Sequence, residues 1–111
     1  MQRNLPFKEA TPQDIKQRLD AGDDLLLIDV REPEEVLIAA IDSAEVHPLS
    51  QAREWIYTLP KDRDLVIMCH HGARSAQVAM ALSQMGHTNV TNMTGGIDAW
   101  SEQIDPTVPR Y

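Results

Sequence analysis

Residues 65–82, LVIMCHHGARSAQVAMAL, decide the fold. The stretch opens on four consecutive apolar residues, Leu65 to Met68, the run expected of a strand buried on both faces. Apolar residues at 78, 79, 82 and, just beyond, 85 then follow helical spacing, and Gly86 supplies a stop. Between strand and helix lies CHHGARS, residues 69–75, which holds the only cysteine of the chain. A buried strand that passes through a short loop into a helix is the first half of a parallel crossover.

The rest of the chain repeats this alternation. Thr11 is placed as an N-cap, with Pro12 at the first helical position and Asp14 in the first turn. Ile15 and Leu19 lie one turn apart, and Gly22 ends that helix. Residues 25–30, LLLIDV, read as a second buried strand. Residues 31–35 read as a turn into a brief helix, and Val46 as part of a short strand. A helix is expected over 51–59, with Trp55 and Leu59 on one face and Pro60 as its stop. Residues 89–92 are expected as a third strand, Gly95-Gly96 as a tight turn and 97–103 as a helix carrying Trp100. The tail, DPTVPRY, reads as extended. Spacings are short and no repeat or low-complexity tract interrupts them. The expectation is one α/β domain over 1–111, with a core of about 11–104 and a tail at 105–111. Its centre is a parallel sheet with helices on both faces. In such sheets ligands bind beyond the C-terminal strand ends, and Cys69 stands immediately after one.

Composition narrows the partners. The 111 residues are 42% hydrophobic and 24% charged, the balance of a soluble globular domain. A formal charge of −7 argues against nucleic acid and anionic membranes as partners. One cysteine forms no internal disulfide. The longest apolar run, residues 25–28, is too short to span a bilayer, and MQRNLPFKEATPQD has no signal-peptide pattern. A cytoplasmic location is the expectation.

The CHHGARS loop suits anion chemistry. Gly72 permits a backbone that turns amides inward at a helix N-terminus. That field lowers the pKa of a cysteine within it. Arg74 adds a permanent cation with a fork of donors, and Ser75 can cap the helix or hydrogen-bond the sulfur. Cys69 then reads as a nucleophile for an anionic electrophile, cradled by His70, His71, Gly72, Ala73, Arg74 and Ser75. A buried packing cysteine is the ordinary alternative, but such a residue needs neither the glycine nor the arginine. A metal site from Cys69, His70 and His71 is disfavoured, because adjacent residues rarely face one ion. His70 and His71 are read as loop-mouth residues or as plain exposed loop. The Asp29–Arg31 pair is read as an organiser of neighbouring loops, and Glu32, Glu34 and Glu35 as a solvated face.

LLIDVREPEE around residues 26–35, LVIMCHHGARSAQVAMAL at 65–82 and NVTNMTGGIDAW at 89–100 together resemble the rhodanese domain, in that family's order and spacing. The resemblance runs from about Thr11 to the end. It implies an α/β fold around a parallel sheet, and sulfur transfer as the activity. Carried over, Cys69 takes the outer sulfur of a donor such as thiosulfate as a persulfide. The amides of residues 70–75 cradle that sulfur, and Arg74 holds the sulfonate part of the donor. The acceptor is cyanide in an assay or a cellular thiol, and no cofactor is implied. AWSEQIDPTVPRY is also similar to the end of rhodanese domains fused to enzymes that activate ubiquitin-like sulfur carriers, which adds a sulfur-carrier protein as acceptor.

One stretch departs from the family. Where members read like G-H-I-P-G-A, this chain has Ala39-Ala40-Ile41-Asp42-Ser43-Ala44. A serine resists the positive-φ turn that glycine favours, so local loop geometry is expected to differ. Two rival functions remain at this level. Cysteine phosphatases and arsenate reductases use a similar cradle with five residues between Cys and Arg, whereas four intervene between Cys69 and Arg74. The smaller cradle suits a single sulfur. A non-catalytic interaction module is the other rival.

Overall fold

The computed structural model describes residues 5–111; residues 1–4, which begin the stretch read as lacking a signal peptide, lie outside the described residues. In chain order the elements are β1 (Lys8–Ala10), α1 (Pro12–Asp20), β2 (Leu25–Asp29), α2 (Pro33–Ile38), β3 (Glu45–Val46), α3 (Ala52–Trp55), β4 (Asp64–Met68), α4 (Ala73–Gln84), β5 (Val90–Met93) and α5 (Gly96–Gln103). The strands form one parallel sheet in the order β1-β5-β4-β2-β3.

Alternation along the two central strands builds both faces. Leu26 and Ile28 of β2 and Leu65 and Ile67 of β4 join a core with Trp55, Val78, Ala79 and Leu82. Their neighbours Leu25, Leu27, Val66 and Met68 enter a second core with Ile15, Ile97 and Trp100. Helices α3 and α4 therefore cover one face, and α1 and α5 the other. Leu65, Val66 and Ile67 are fully enclosed. Each such side chain contributes about 1.5–3 kcal/mol of burial.

Local signals hold at the first helix. Thr11 Oγ1 accepts the Asp14 amide at 3.2 Å, while Asp14 Oδ2 accepts the Thr11 amide at 3.2 Å. With Pro12 at the start, this closes a capping box.

Three expectations change. The helix expected over 51–59 is shorter: a 3₁₀ turn at Leu49–Gln51 leads into α3, which stops at Trp55. The Thr58 hydroxyl and amide both donate to the Trp55 carbonyl, at 2.7 and 2.9 Å, and close the chain into a turn. The tail does not run extended from Asp105, because Asp105 Oδ1 accepts the Thr107 amide at 3.0 Å and its hydroxyl at 2.5 Å. This turn delivers Val108 into the second core. Strand β1 was not foreseen; its three residues, Lys-Glu-Ala, carry no apolar run.

The departing segment at 39–44 also finds its own geometry. Every described residue with positive φ is a glycine, so Ser43 and Ala44 take no left-handed turn. The chain reverses through an Ala44 amide to Ile41 carbonyl bond of 3.0 Å, with Ala39 and Ile41 buried. No helix among the described residues is long and apolar enough to cross a membrane.

The strand order also locates the site. From β2 the chain moves outward to β3, whereas from β4 it moves the other way, to β5. The C-terminal ends of β2 and β4 therefore flank a switch point, where open parallel sheets form crevices. Arg31 follows β2 and Cys69 follows β4.

Candidate active site

Cys69 leaves β4 with its side chain 1% exposed. The loop then curls around the sulfur. Gly72 caps α4 at φ +111°, a conformation that glycine adopts without strain. This turn aims the Gly72 amide at Cys69 Sγ at 3.1 Å, and the Ser75 amide follows at 3.4 Å. The Ser75 hydroxyl lies 3.3 Å from the same sulfur. Burial pushes the thiol pKa up, but the amides of Ser75, Gly72 and His71 outweigh it. The net result is a thiol more acidic than an ordinary cysteine. Its alkylation rate is therefore expected to rise with pH around a midpoint below that of an ordinary cysteine. Below that midpoint the sulfur is protonated and slow. Iodoacetamide labelling across pH checks this, and a midpoint at or above the ordinary value contradicts it.

Strand β5 and helix α5 brace the loop. The Ser75 hydroxyl donates to Asn92 Oδ1 at 2.6 Å, and Asn92 Nδ2 donates to the Gly72 carbonyl at 3.2 Å. Asn92 was read only as part of a strand, and its one signal is a polar side chain on a fully buried strand. On the other side, the Ile97 amide donates to the Cys69 carbonyl at 2.9 Å and the Asp98 amide to the His70 carbonyl at 3.1 Å. The start of α5 thus holds the loop carbonyls outward while the loop amides face the sulfur. Gly95-Gly96 is more than a turn. At Gly96 φ is +59°, and an added Cβ would collide with the Cys69 and His70 carbonyls. Gly96→Ala is expected to destabilise the fold by more than about 2 kcal/mol, through backbone strain and that collision. Urea unfolding measures it, and a change under about 0.5 kcal/mol would contradict the packing described.

Arg74 does not stand open. Its Nη1 and Nη2 donate to Glu35 Oε2 and Oε1 at 2.7 and 2.8 Å. Glu35, read from sequence as part of a solvated face, is instead the bidentate partner of the loop arginine. The Glu32 amide donates to Glu35 Oε2 at 3.0 Å and the Tyr111 hydroxyl to Oε1 at 3.0 Å. The Arg74 guanidinium, aided by these donors, outweighs burial and holds the Glu35 carboxyl down at about 2. Glu35 in turn raises the Arg74 pKa.

The Asp29–Arg31 pair organises loops, as its place at a strand end suggested. Arg31 is fully buried, and its Nε and Nη2 donate to Asp29 Oδ1 and Oδ2 at 3.0 and 2.6 Å. Further donation to the Ala39 and Glu35 carbonyls, at 2.8 and 3.2 Å, ties down α2 within its first turn and at its C-cap. Nη1 also donates to the Tyr111 hydroxyl at 2.9 Å. The Tyr111 ring stacks on His70, with centroids 3.8 Å apart and planes at 4°. Neither Tyr111 nor Glu35 was singled out as a site residue, since their partners lie far away along the chain.

The His70 and His71 rings lie against each other with centroids 3.8 Å apart and planes tilted by 30°. Burial, with His71 beside it, lowers the His70 pKa, which keeps that ring uncharged near neutrality. His71 is exposed, as is Ala73 at the head of α4. His70, His71 and Asp98 offer ligand atoms within 4.8 Å of one another, a grouping that spacing along the loop did not reveal. Asp98, however, already accepts Arg110 on both oxygens, at 2.9 and 3.1 Å, which places a cation against the same carboxylate.

The rhodanese-like domain family matches residues 11–103. The chain belongs to that family. This rhodanese-like chain is 39% identical over 100 residues to a sulfurtransferase of Allochromatium vinosum, covering 90% of itself and 94% of the relative. It is also 39% identical over 103 residues to the probable adenylyltransferase/sulfurtransferase MoeZ of Mycobacterium tuberculosis, covering 91% of itself but spanning only 26% of that protein's length. Among solved structures, a rhodanese-related protein from Thermoplasma volcanium superposes with a TM-score of 0.80 at 31% identity, over 95% of this chain and all of that one. The resemblance read from three sequence blocks and the parallel α/β fold are both borne out.

Proposed function

We propose that Cys69 is the nucleophile of a sulfurtransferase that carries a sulfane sulfur as a Cys69 persulfide. The observation that carries this reading is the convergence of the Gly72 and Ser75 amides on Cys69 Sγ. Amides focused on one sulfur atom stabilise a thiolate before attack and a terminal sulfur anion after it. In the first half-reaction the thiolate attacks the outer sulfur of the donor and the donor S–S bond breaks. From thiosulfate the leaving group is sulfite, and no oxidant is needed. In the second half-reaction an acceptor nucleophile takes that outer sulfur and Cys69 leaves as thiolate. The loop residues 70–75 act as the cradle. Acceptors of the right class are a thiol, cyanide in an assay, or a sulfur-carrier protein, the last supported by the likeness of the tail to carrier-linked rhodanese domains. The chemistry asks for no cofactor.

The phosphatase reading is weaker. Four residues separate Cys69 from Arg74. Both terminal nitrogens of that arginine are bound to Glu35, instead of facing a phosphoryl group. The test is a paired assay: thiocyanate formation from a sulfane-sulfur donor and cyanide, and hydrolysis of an aryl phosphate. Thiocyanate without phosphate release is the expected result. Phosphate release alone would replace this reading with the phosphatase one, and neither product would favour an interaction module.

A further inference from the structure

The Arg74–Glu35 pair bears on the donor. Thiosulfate is a dianion, and its binding beside a thiolate depends on a cation free to meet the sulfonate. Arg74 was expected to fill that role. In the structure its two terminal nitrogens are occupied by both oxygens of one carboxylate, at 2.7 and 2.8 Å. Glu35 is not a loose partner that a donor displaces at little cost. It is also held by the Glu32 amide and by Tyr111, whose hydroxyl is itself fixed by Arg31. Arg31, the other guanidinium bordering this network, is matched by Asp29. His70, stacked beneath Tyr111, is kept uncharged by burial. The two guanidinium charges at this mouth are therefore each cancelled by a carboxylate, inside a chain of formal charge −7. Beside the amides that converge on one sulfur stand the stacked rings of Tyr111 and His70.

We infer that Glu35 is a specificity-determining residue, which neutralises Arg74 and turns the site toward persulfide donors, R–S–SH, in preference to thiosulfate. This inference rests on the sulfur-transfer reading of Cys69. In the step it describes, the Cys69 thiolate attacks the terminal sulfur of R–S–SH. The S–S bond breaks, R–S⁻ leaves, and Cys69–S–SH forms with its proton retained. Charge is −1 before and after, and the leaving group is a monoanion, which asks less of a free guanidinium than sulfite does. With thiosulfate the leaving group is sulfite, a dianion departing next to a carboxylate.

The test compares cysteine persulfide and thiosulfate as donors by the second-order rate of Cys69 sulfuration, followed by intact mass. The full chain and its Glu35→Gln and Glu35→Asp variants are measured side by side. In the full chain, cysteine persulfide is expected to react faster than thiosulfate. Glu35→Gln keeps an oxygen for Arg74 but removes the charge, and is expected to shift the rate ratio toward thiosulfate by about tenfold, the scale of one charge at an effectively water-exposed mouth. Glu35→Asp retains the charge and is expected to hold the ratio near that of the full chain, which a purely structural role for Glu35 would not predict. A full chain that prefers thiosulfate, or a ratio unmoved in Glu35→Gln, overturns the donor inference while leaving the Cys69 persulfide intact. No sulfuration from either donor overturns the sulfur-transfer reading itself.

Discussion

Cys69→Ser is expected to abolish thiocyanate formation, with a loss of about 10⁴-fold or more, the scale seen when a covalent nucleophile is removed. The hydroxyl of serine fits the same amides, so the fold should stand and the loss is chemical. Serine lacks the acidity that the loop confers on a thiol, and its oxygen does not accept a sulfane sulfur reversibly. Circular dichroism and urea unfolding of the variant check the fold, and the cyanide assay checks the activity. Retained turnover would place the nucleophile elsewhere. Cys69 is the only cysteine in the chain, so the result has no second thiol to confuse it.

The second large effect falls on stability. Asp29→Ala would leave the Arg31 guanidinium fully buried, with carbonyls and a hydroxyl as partners but no carboxylate. Removing one member of a buried ion pair costs about 3–5 kcal/mol. That is a large share of the roughly 5–15 kcal/mol that holds a domain together. Each kcal/mol moves the midpoint of a chain this size by about 4–8 °C, so thermal unfolding should fall by at least about 12 °C. Replacing both residues, Asp29→Leu with Arg31→Met, removes the stranded charge and is expected to cost less than Asp29→Ala alone. A double variant that is worse than the single would mean that the Arg31 bonds to Ala39, Glu35 and Tyr111 matter more than its charge balance. The single variant should also loosen Tyr111, because the guanidinium that Asp29 orients holds the tyrosine hydroxyl.

What was legible in advance followed the physics of each segment. Residues 25–29 and 64–68 are strands buried on both faces, and an unbroken apolar run is the sequence form of such a strand. The loop between β4 and α4 was legible because its parts are adjacent: Cys69, Gly72 and Ser75 lie within one turn of chain, and the amides that bind the sulfur belong to them. Strand β1 was silent, since three edge residues with a charged pair resemble any surface loop. The 51–59 segment misled because its apolar spacing suits a helix, while Thr58 offers the backbone a competing turn. The larger gap concerns Glu35 and Tyr111. Glu35 lies 39 positions from Arg74, and Tyr111 lies 80 from Arg31. No local pattern marks a glutamate in an acidic run as the partner of a distant arginine. The switch-point topology, which sets the ends of β2 and β4 side by side, brings Glu35 to Arg74, and the tail anchored at Val108 brings Tyr111 to Arg31. The loop motif therefore carries the proposed nucleophile, whereas the groups proposed to govern its donor are assembled by the fold.

The central claim is that Cys69 carries the sulfur. Its most direct test is the intact mass of the chain after incubation with a sulfane-sulfur donor and removal of the excess, read before and after treatment with a thiol reductant. The account predicts the mass of one added sulfur atom on the unreduced chain, its complete removal by the reductant, and no addition on Cys69→Ser. An unlabelled chain, or a sulfur that persists on Cys69→Ser, would contradict it.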